Sequence, residues 1–103
     1  MKFVISLTFR SAGSASENEV AARRLLVGYS KWTPPAGMTI HQLVSRADGS
    51  GGFAVVETDN SADLIGTTSK FAPFADYVIC PVVDIADGVR ASQEAIEFRE
   101  SIS

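Results

Sequence analysis

Met38-Thr39-Ile40-His41-Gln42-Leu43-Val44-Ser45-Arg46, then Asp48-Gly49-Ser50-Gly51-Gly52, then Phe53-Ala54-Val55-Val56-Glu57-Thr58, decides how this chain folds. Two segments rich in β-branched and apolar residues flank a cluster of turn formers, which predicts a hairpin with a longer loop. Upstream, residues 2–9 alternate, with Phe3, Ile5, Leu7 and Phe9 on one side and Lys2, Val4, Ser6 and Thr8 on the other. That period of two defines a strand with one greasy and one mixed face. A small-residue loop follows over Ser11-Ala12-Gly13-Ser14-Ala15. Ser16-Glu17-Asn18-Glu19 then predicts a capping box, with acidic residues at the positive end of a helix. Ala22, Leu25, Leu26 and Tyr29, with Trp32 near the end, fall at helical spacing, and Pro34-Pro35 ends the helix.

Downstream, Asn60 reads as an N-cap and Asp63 sits in the first turn of a helix carrying Leu64, Ile65, Thr68 and Phe71, closed by Pro73. Tyr77–Val83 predicts a fourth strand, whose internal Pro81 has no amide hydrogen and belongs at a sheet edge or a bulge. From Asp87 a final amphipathic helix places Ala91, Ala95, Phe98 and Ile102 on one stripe, with Arg90 and Glu94 as a helical pair. The order is β-α-β-β-α-β plus a C-terminal helix, an α+β, ferredoxin-like arrangement with a four-stranded antiparallel sheet. No linker interrupts it, so residues 1–103 are expected to form a single domain.

Composition narrows the function. Nine Lys and Arg against twelve Asp and Glu leave a net charge of −3, which argues against nucleic acid as a partner because phosphate binding needs a dense basic face. The single cysteine, Cys80, excludes an internal disulfide framework and suits a reducing compartment; in an apolar strand it reads as an inert small hydrophobe. The apolar start is short and interrupted by Ser6 and Thr8, so it makes a poor signal peptide, although Ala12-Gly13-Ser14-Ala15 imitates a cleavage site. No run of apolar residues is long enough to span a bilayer, and the expected location is cytoplasmic.

Helices on one face of a four-stranded sheet leave the other face uncovered. Here that face carries Val4 beside Ser6 and Thr8, and the third and fourth strands are apolar on both sides, whereas a solvated antiparallel face should alternate cleanly. An exposed apolar face of this size marks an interaction surface. The expectation is a two-fold homodimer whose sheets pack face to face into a barrel, with the C-terminal helix near the partner. The competing arrangement is a monomer in which that helix lids its own sheet.

The whole order, with Gly51-Gly52-Phe53-Ala54-Val55-Val56-Glu57-Thr58-Asp59 entering the second helix, Cys80-Pro81-Val82-Val83 late in the last strand, and Pro34-Pro35-Ala36-Gly37-Met38 before the second, resembles the dimeric α+β barrel superfamily. Within it the chain is similar to a bacterial family catalogued only as a domain of unknown function. The resemblance implies a barrel fold shared with cofactor-free monooxygenases, polyketide cyclases, muconolactone isomerases, haem-degrading enzymes and stress-responsive proteins. It locates a site between sheet and helices or inside the barrel without fixing its chemistry.

His41 is the only histidine and the only side chain whose ordinary pKa lies near neutrality, which makes it the first candidate base. Simple alternation places it with Thr39, Leu43 and Ser45, opposite Ile40, Gln42 and Val44. The resemblance implies a barrel His working beside a Tyr, with Tyr29 and Tyr77 available. Glu57 closes an apolar run; pointing inward it would be a general acid or base, and at a wet strand end it would pair with Arg10 or Arg46. Trp32, near Pro34-Pro35, and Phe74 and Tyr77, near Pro73, stand where they can rim a cavity or cap the core, and Tyr29 and Arg46 complete the ligand-binding candidates.

Other familiar signals are absent. The glycine cluster at 49–52 joins two strands and presents no helix N-terminus to a phosphate. One His and one Cys cannot close a zinc site, and only the resemblance would make His41 a haem ligand. The expected function is therefore binding of a small, largely apolar organic ligand, with cofactor-free acid–base chemistry of a cyclase, isomerase or monooxygenase type if the protein is an enzyme. A non-enzymatic dimeric stress-responsive or assembly module is the alternative.

Overall fold

The alternating segment at the start forms β1 (Lys2–Phe9), and its greasy side becomes the centre of the core. The computed structural model describes residues 1–11 and 13–103; Ala12, part of the predicted small-residue loop and of the cleavage-site look-alike, lies outside the described residues. After β1 come α1 (Ala15–Lys31), β2 (Thr39–Ser45), β3 (Gly51–Glu57), α2 (Ala62–Phe71), β4 (Ala75–Val82) and α3 (Ile85–Ser101). The four strands form one antiparallel sheet in the order β2-β3-β1-β4. This is the ferredoxin-like α+β arrangement with an added C-terminal helix.

Register decides which side chains share a face. Phe3 pairs with Val56 and Pro81, and Ile5 with Ala54 and Ile79. Phe3, Ile5, Ala54 and Val56 are buried together with Met38 and Leu64, and Ile40 and Tyr77 pack against this cluster. Pro81 lies on edge strand β4, where its missing amide hydrogen disrupts no second ladder. The opposite face carries Lys2, Val4, Ser6 and Thr8 of β1 beside Glu57, Val55 and Phe53 of β3 and Val82, Cys80 and Val78 of β4.

Several local expectations are corrected. The capping box of α1 begins at Ser14: its Oγ accepts the Glu17 amide at 3.2 Å and Glu17 Oε1 accepts the Ser14 amide at 3.4 Å. Both Ser14–Glu17 and Ser16–Glu19 satisfy the same spacing, and the earlier pair adds helical hydrogen bonds, leaving Glu19 to pair with Arg23. The side of α1 turned toward the protein runs through Ala21, Leu25, Gly28 and Trp32, so that Leu26 and Tyr29 are exposed. For α2 the N-cap is Ser61, while the Asn60 side chain accepts the Ala62 amide at 3.1 Å. On α3, Arg90 pairs with Asp87 at 2.6 Å instead of with Glu94.

Gly51 and Gly52, read from sequence as turn, are buried strand residues. A Cβ on Gly51 would lie 1.9 Å from the Leu7 carbonyl oxygen, and one on Gly52 would lie 2.6 Å from that of Val44. Glycine is needed here for the close approach of three backbones. The turn itself falls at Gly49, whose φ of 75° favours glycine, with Ser50 bound to the Asp48 carboxylate through amide and hydroxyl.

The C-terminal helix stands apart. α3 has no buried residue, and Ile85, Val89, Ile96, Phe98 and Ile102 are all exposed. The chain extends over 64 × 30 × 20 Å with a radius of gyration of 18.3 Å. A compact domain of about 100 residues has a radius near 13 Å. In the single chain α3 does not lid the open face of the sheet.

Candidate functional site

On β2 the register slips between Ile40 and Gln42. Ile40 pairs with Val56 and Leu43 with Ala54, whereas Gln42 pairs with Val55 and Val44 with Phe53. A bulge sets two residues of one strand against one of its partner, so the simple alternation breaks at His41. This corrects the expected faces: Ile40, Leu43 and Ser45 share the core side, and Thr39, Gln42 and Val44 the open side. The His41 imidazole reaches Glu57 on that open side, with Nε2 2.8 Å from Oε1.

Glu57 therefore pairs with His41 and not with either arginine considered from sequence: Arg10 holds Asp76 and Arg46 holds Asp48. An ionised carboxylate only accepts hydrogen bonds, so Nε2 is the donor. A neutral His41 then carries its free lone pair on Nδ1, the atom able to take a proton. Glu57 stands across the sheet from Lys2, whose Nζ lies 2.6 Å from Asp84 Oδ1. His41, Glu57, Lys2 and Asp84 thus make a row in which carboxylates alternate with nitrogen bases along one end of an otherwise largely apolar face.

The row is electrostatically coupled. The hydrogen bond from Lys2 holds the Asp84 carboxyl below its ordinary value, and the nearby His41 charge acts in the same direction. Asp84 raises Lys2 in return, with a smaller contribution from Glu57. The side chains of His41 and Glu57 are 40% and 51% exposed in the single chain, so the burial on which Glu57 was expected to depend is absent there.

The remaining sequence candidates occupy other places. Arg46 lies over the Phe53 ring, 5.8 Å from its centroid, near the hairpin loop. Tyr77 is half-buried on the core side, and that burial pushes its phenol above the ordinary value. Tyr29 and Trp32 belong to the outer helix layer, with ring centroids 6.4 Å apart. Trp32 lines a cleft of about 420 Å³, and Phe74 a separate cavity of about 330 Å³ with Phe9, Asn18 and Leu25. Neither cavity includes His41 or Glu57, so no common rim joins the aromatic candidates to the dyad. Cys80 is exposed on the open face.

Sequence reasoning missed Lys2 and Asp84. Lys2 was visible as the one charged residue on the mixed side of β1, but only the register of β1 against β3 brings it opposite Glu57. Among the described residues no three His, Cys, Asp or Glu side chains come together as metal ligands. No helix among the described residues is long and apolar enough to cross a membrane.

Fold and site together define a ferredoxin-like α+β protein with an open sheet face and a His–Glu pair at one end of it. A family model described as "Domain of unknown function (DUF3303)" matches residues 1–96, and the chain belongs to that family. No curated protein matches it.

Proposed function

We propose that two copies pack open face to open face and that the enclosed space takes a small, largely apolar organic molecule, on which the His41–Glu57 pair performs cofactor-free acid–base chemistry. The 2.8 Å hydrogen bond between His41 Nε2 and Glu57 Oε1, set on a face rich in Val4, Val55, Phe53, Val78 and Val82, carries this reading. Glu57 fixes the imidazole tautomer and stabilises the imidazolium that forms when Nδ1 accepts a proton. Shielding by a second sheet would supply the low-dielectric surroundings in which such a pair is most effective.

Deuterium exchange tests this without knowledge of the reaction. Enolisable ketones and phenols are incubated with the protein in D2O and followed by NMR. The native protein is expected to accelerate exchange on at least one of them. His41→Ala should lower that rate by about a hundredfold or more, within the range of general-base catalysis. Exchange at the buffer rate throughout the panel would count against the enzyme reading.

The second reading is a dimeric module without catalysis. The exposed apolar residues of α3 favour it, because a helix that buries nothing in the single chain is built to meet a partner. A barrel interior filled by side chains supports this reading, and a cavity of a few hundred cubic ångströms with converging polar groups supports the first.

A further inference from the structure

The helix layer holds a feature that the sheet site does not use. Where the C-terminal end of α1 meets α2, a cleft of about 420 Å³ is lined by Gly28, Lys31, Trp32, Thr33, Lys70 and Phe71. Its aromatic wall is ordered: Trp32 and Phe71 meet edge to face, with centroids 6.2 Å apart at 80°. Gly28 leaves the floor open, since even an added Cβ would meet only Phe71 Cε1 at an ordinary 3.6 Å.

Two observations give the cleft a chemical preference. Lys31 and Lys70 both line it, and neither joins an ion pair among the described residues, although the chain as a whole is acidic. Trp32 Nε1 is shut off from solvent and has no hydrogen-bond partner. A buried donor without an acceptor is costly, so a ligand whose entry uncovers Trp32 Nε1 and gives it an acceptor is favoured. Each lysine also complements the negative end of its own helix, but their convergence on one cleft makes it cationic.

We propose that this cleft binds a small organic anion, with its carboxylate between Lys31 and Lys70 and its apolar body against Trp32 and Phe71. The site is separate from the His41–Glu57 pair and does not depend on dimerisation or catalysis.

Trp32 is the only tryptophan, so intrinsic fluorescence reports on the cleft alone. The full chain is titrated with hexanoate, with hexan-1-ol as the neutral counterpart and with inorganic phosphate as an anion lacking an apolar body. A saturable change is expected with hexanoate at millimolar concentration or below, and at least about tenfold weaker binding of the other two, the scale of one charge-assisted hydrogen bond. The exposed double variant Lys31→Gln, Lys70→Gln should weaken hexanoate binding by about tenfold or more, with an unchanged unfolding midpoint, and His41→Ala should leave it intact. No saturable change up to about 10 mM hexanoate would overturn the proposal. Equal binding of the alcohol or of phosphate, or native binding by the double variant, would overturn it as well.

Discussion

Lys2 Nζ lies 2.6 Å from Asp84 Oδ1 although 82 residues separate them. Lys2 opens the first strand and Asp84 is the N-cap of the last helix, yet the Asp84 side chain makes no capping hydrogen bond to that helix. Its carboxylate is committed to the lysine, and this contact ties the base of α3 to the centre of the sheet.

The tie gives a pH dependence with a definite sign. Asp84 is held below its ordinary 3.8, so its contribution to stability is present above that value and is lost as pH falls through the lower folded one. Lys2 is raised above 10.5, so its contribution is present below that value and is lost as pH rises through the higher folded one. The pair therefore acts across the neutral range. Urea unfolding of Asp84→Asn should show a lower midpoint than the native chain at about pH 7, and the difference should shrink as pH falls below 3.8. A difference that persists in acid would place its origin elsewhere.

The His41–Glu57 bond makes a prediction about a tautomer. Because the carboxylate accepts from Nε2, nitrogen NMR of the neutral form should show the proton on Nε2 and the lone pair on Nδ1. There is one histidine, so the signal is unambiguous. Glu57→Ala should weaken this preference toward the mixture of an unrestrained imidazole. A native preference for the Nδ1 proton would mean that the pair does not persist in solution.

The element order was legible because each signal was local: period two in β1, turn formers at 48–50, prolines at 34–35 and 73. The dyad was legible only as two separate suspects. A bulge arises from how two strands share hydrogen bonds, and nothing in Ile40-His41-Gln42 announces it, so alternation assigned His41 the wrong companions. The same ambiguity misled the reading of Gly51-Gly52, since glycine serves both turns and crowded strands. Lys2 and Asp84 meet only through the register of a completed sheet.

Two glycines should respond in opposite directions to one added methyl group. At Gly51 the new Cβ would be driven against the backbone of Leu7 and Thr8, with no flexible side chain to yield. Gly51→Ala should cost about 2 kcal/mol or more by overpacking. At Gly66, inside α2, an added Cβ meets nothing within 4 Å. Gly66→Ala should stabilise by about 0.5–1 kcal/mol through helix propensity and reduced freedom of the unfolded chain. Chemical denaturation of both variants measures the contrast, and equal effects would contradict the packing described around β3.

Val78 lies on the open side of edge strand β4, opposite Ser6 in register, and is 67% exposed in the single chain. If that side stays in water, Val78→Asp is a surface change worth no more than about 0.5 kcal/mol. If a second sheet covers it, the same substitution puts an unpaired carboxylate into an apolar interface, which costs several kcal/mol. Light scattering behind a sizing column separates the cases. The native chain of 11.0 kDa should elute as a dimer, and Val78→Asp should shift it to the monomer mass with the helical and strand signals of its spectrum preserved. A native monomer at micromolar concentration, or a dimer indifferent to the substitution, would leave the open face uncovered and the His41–Glu57 pair in solvent.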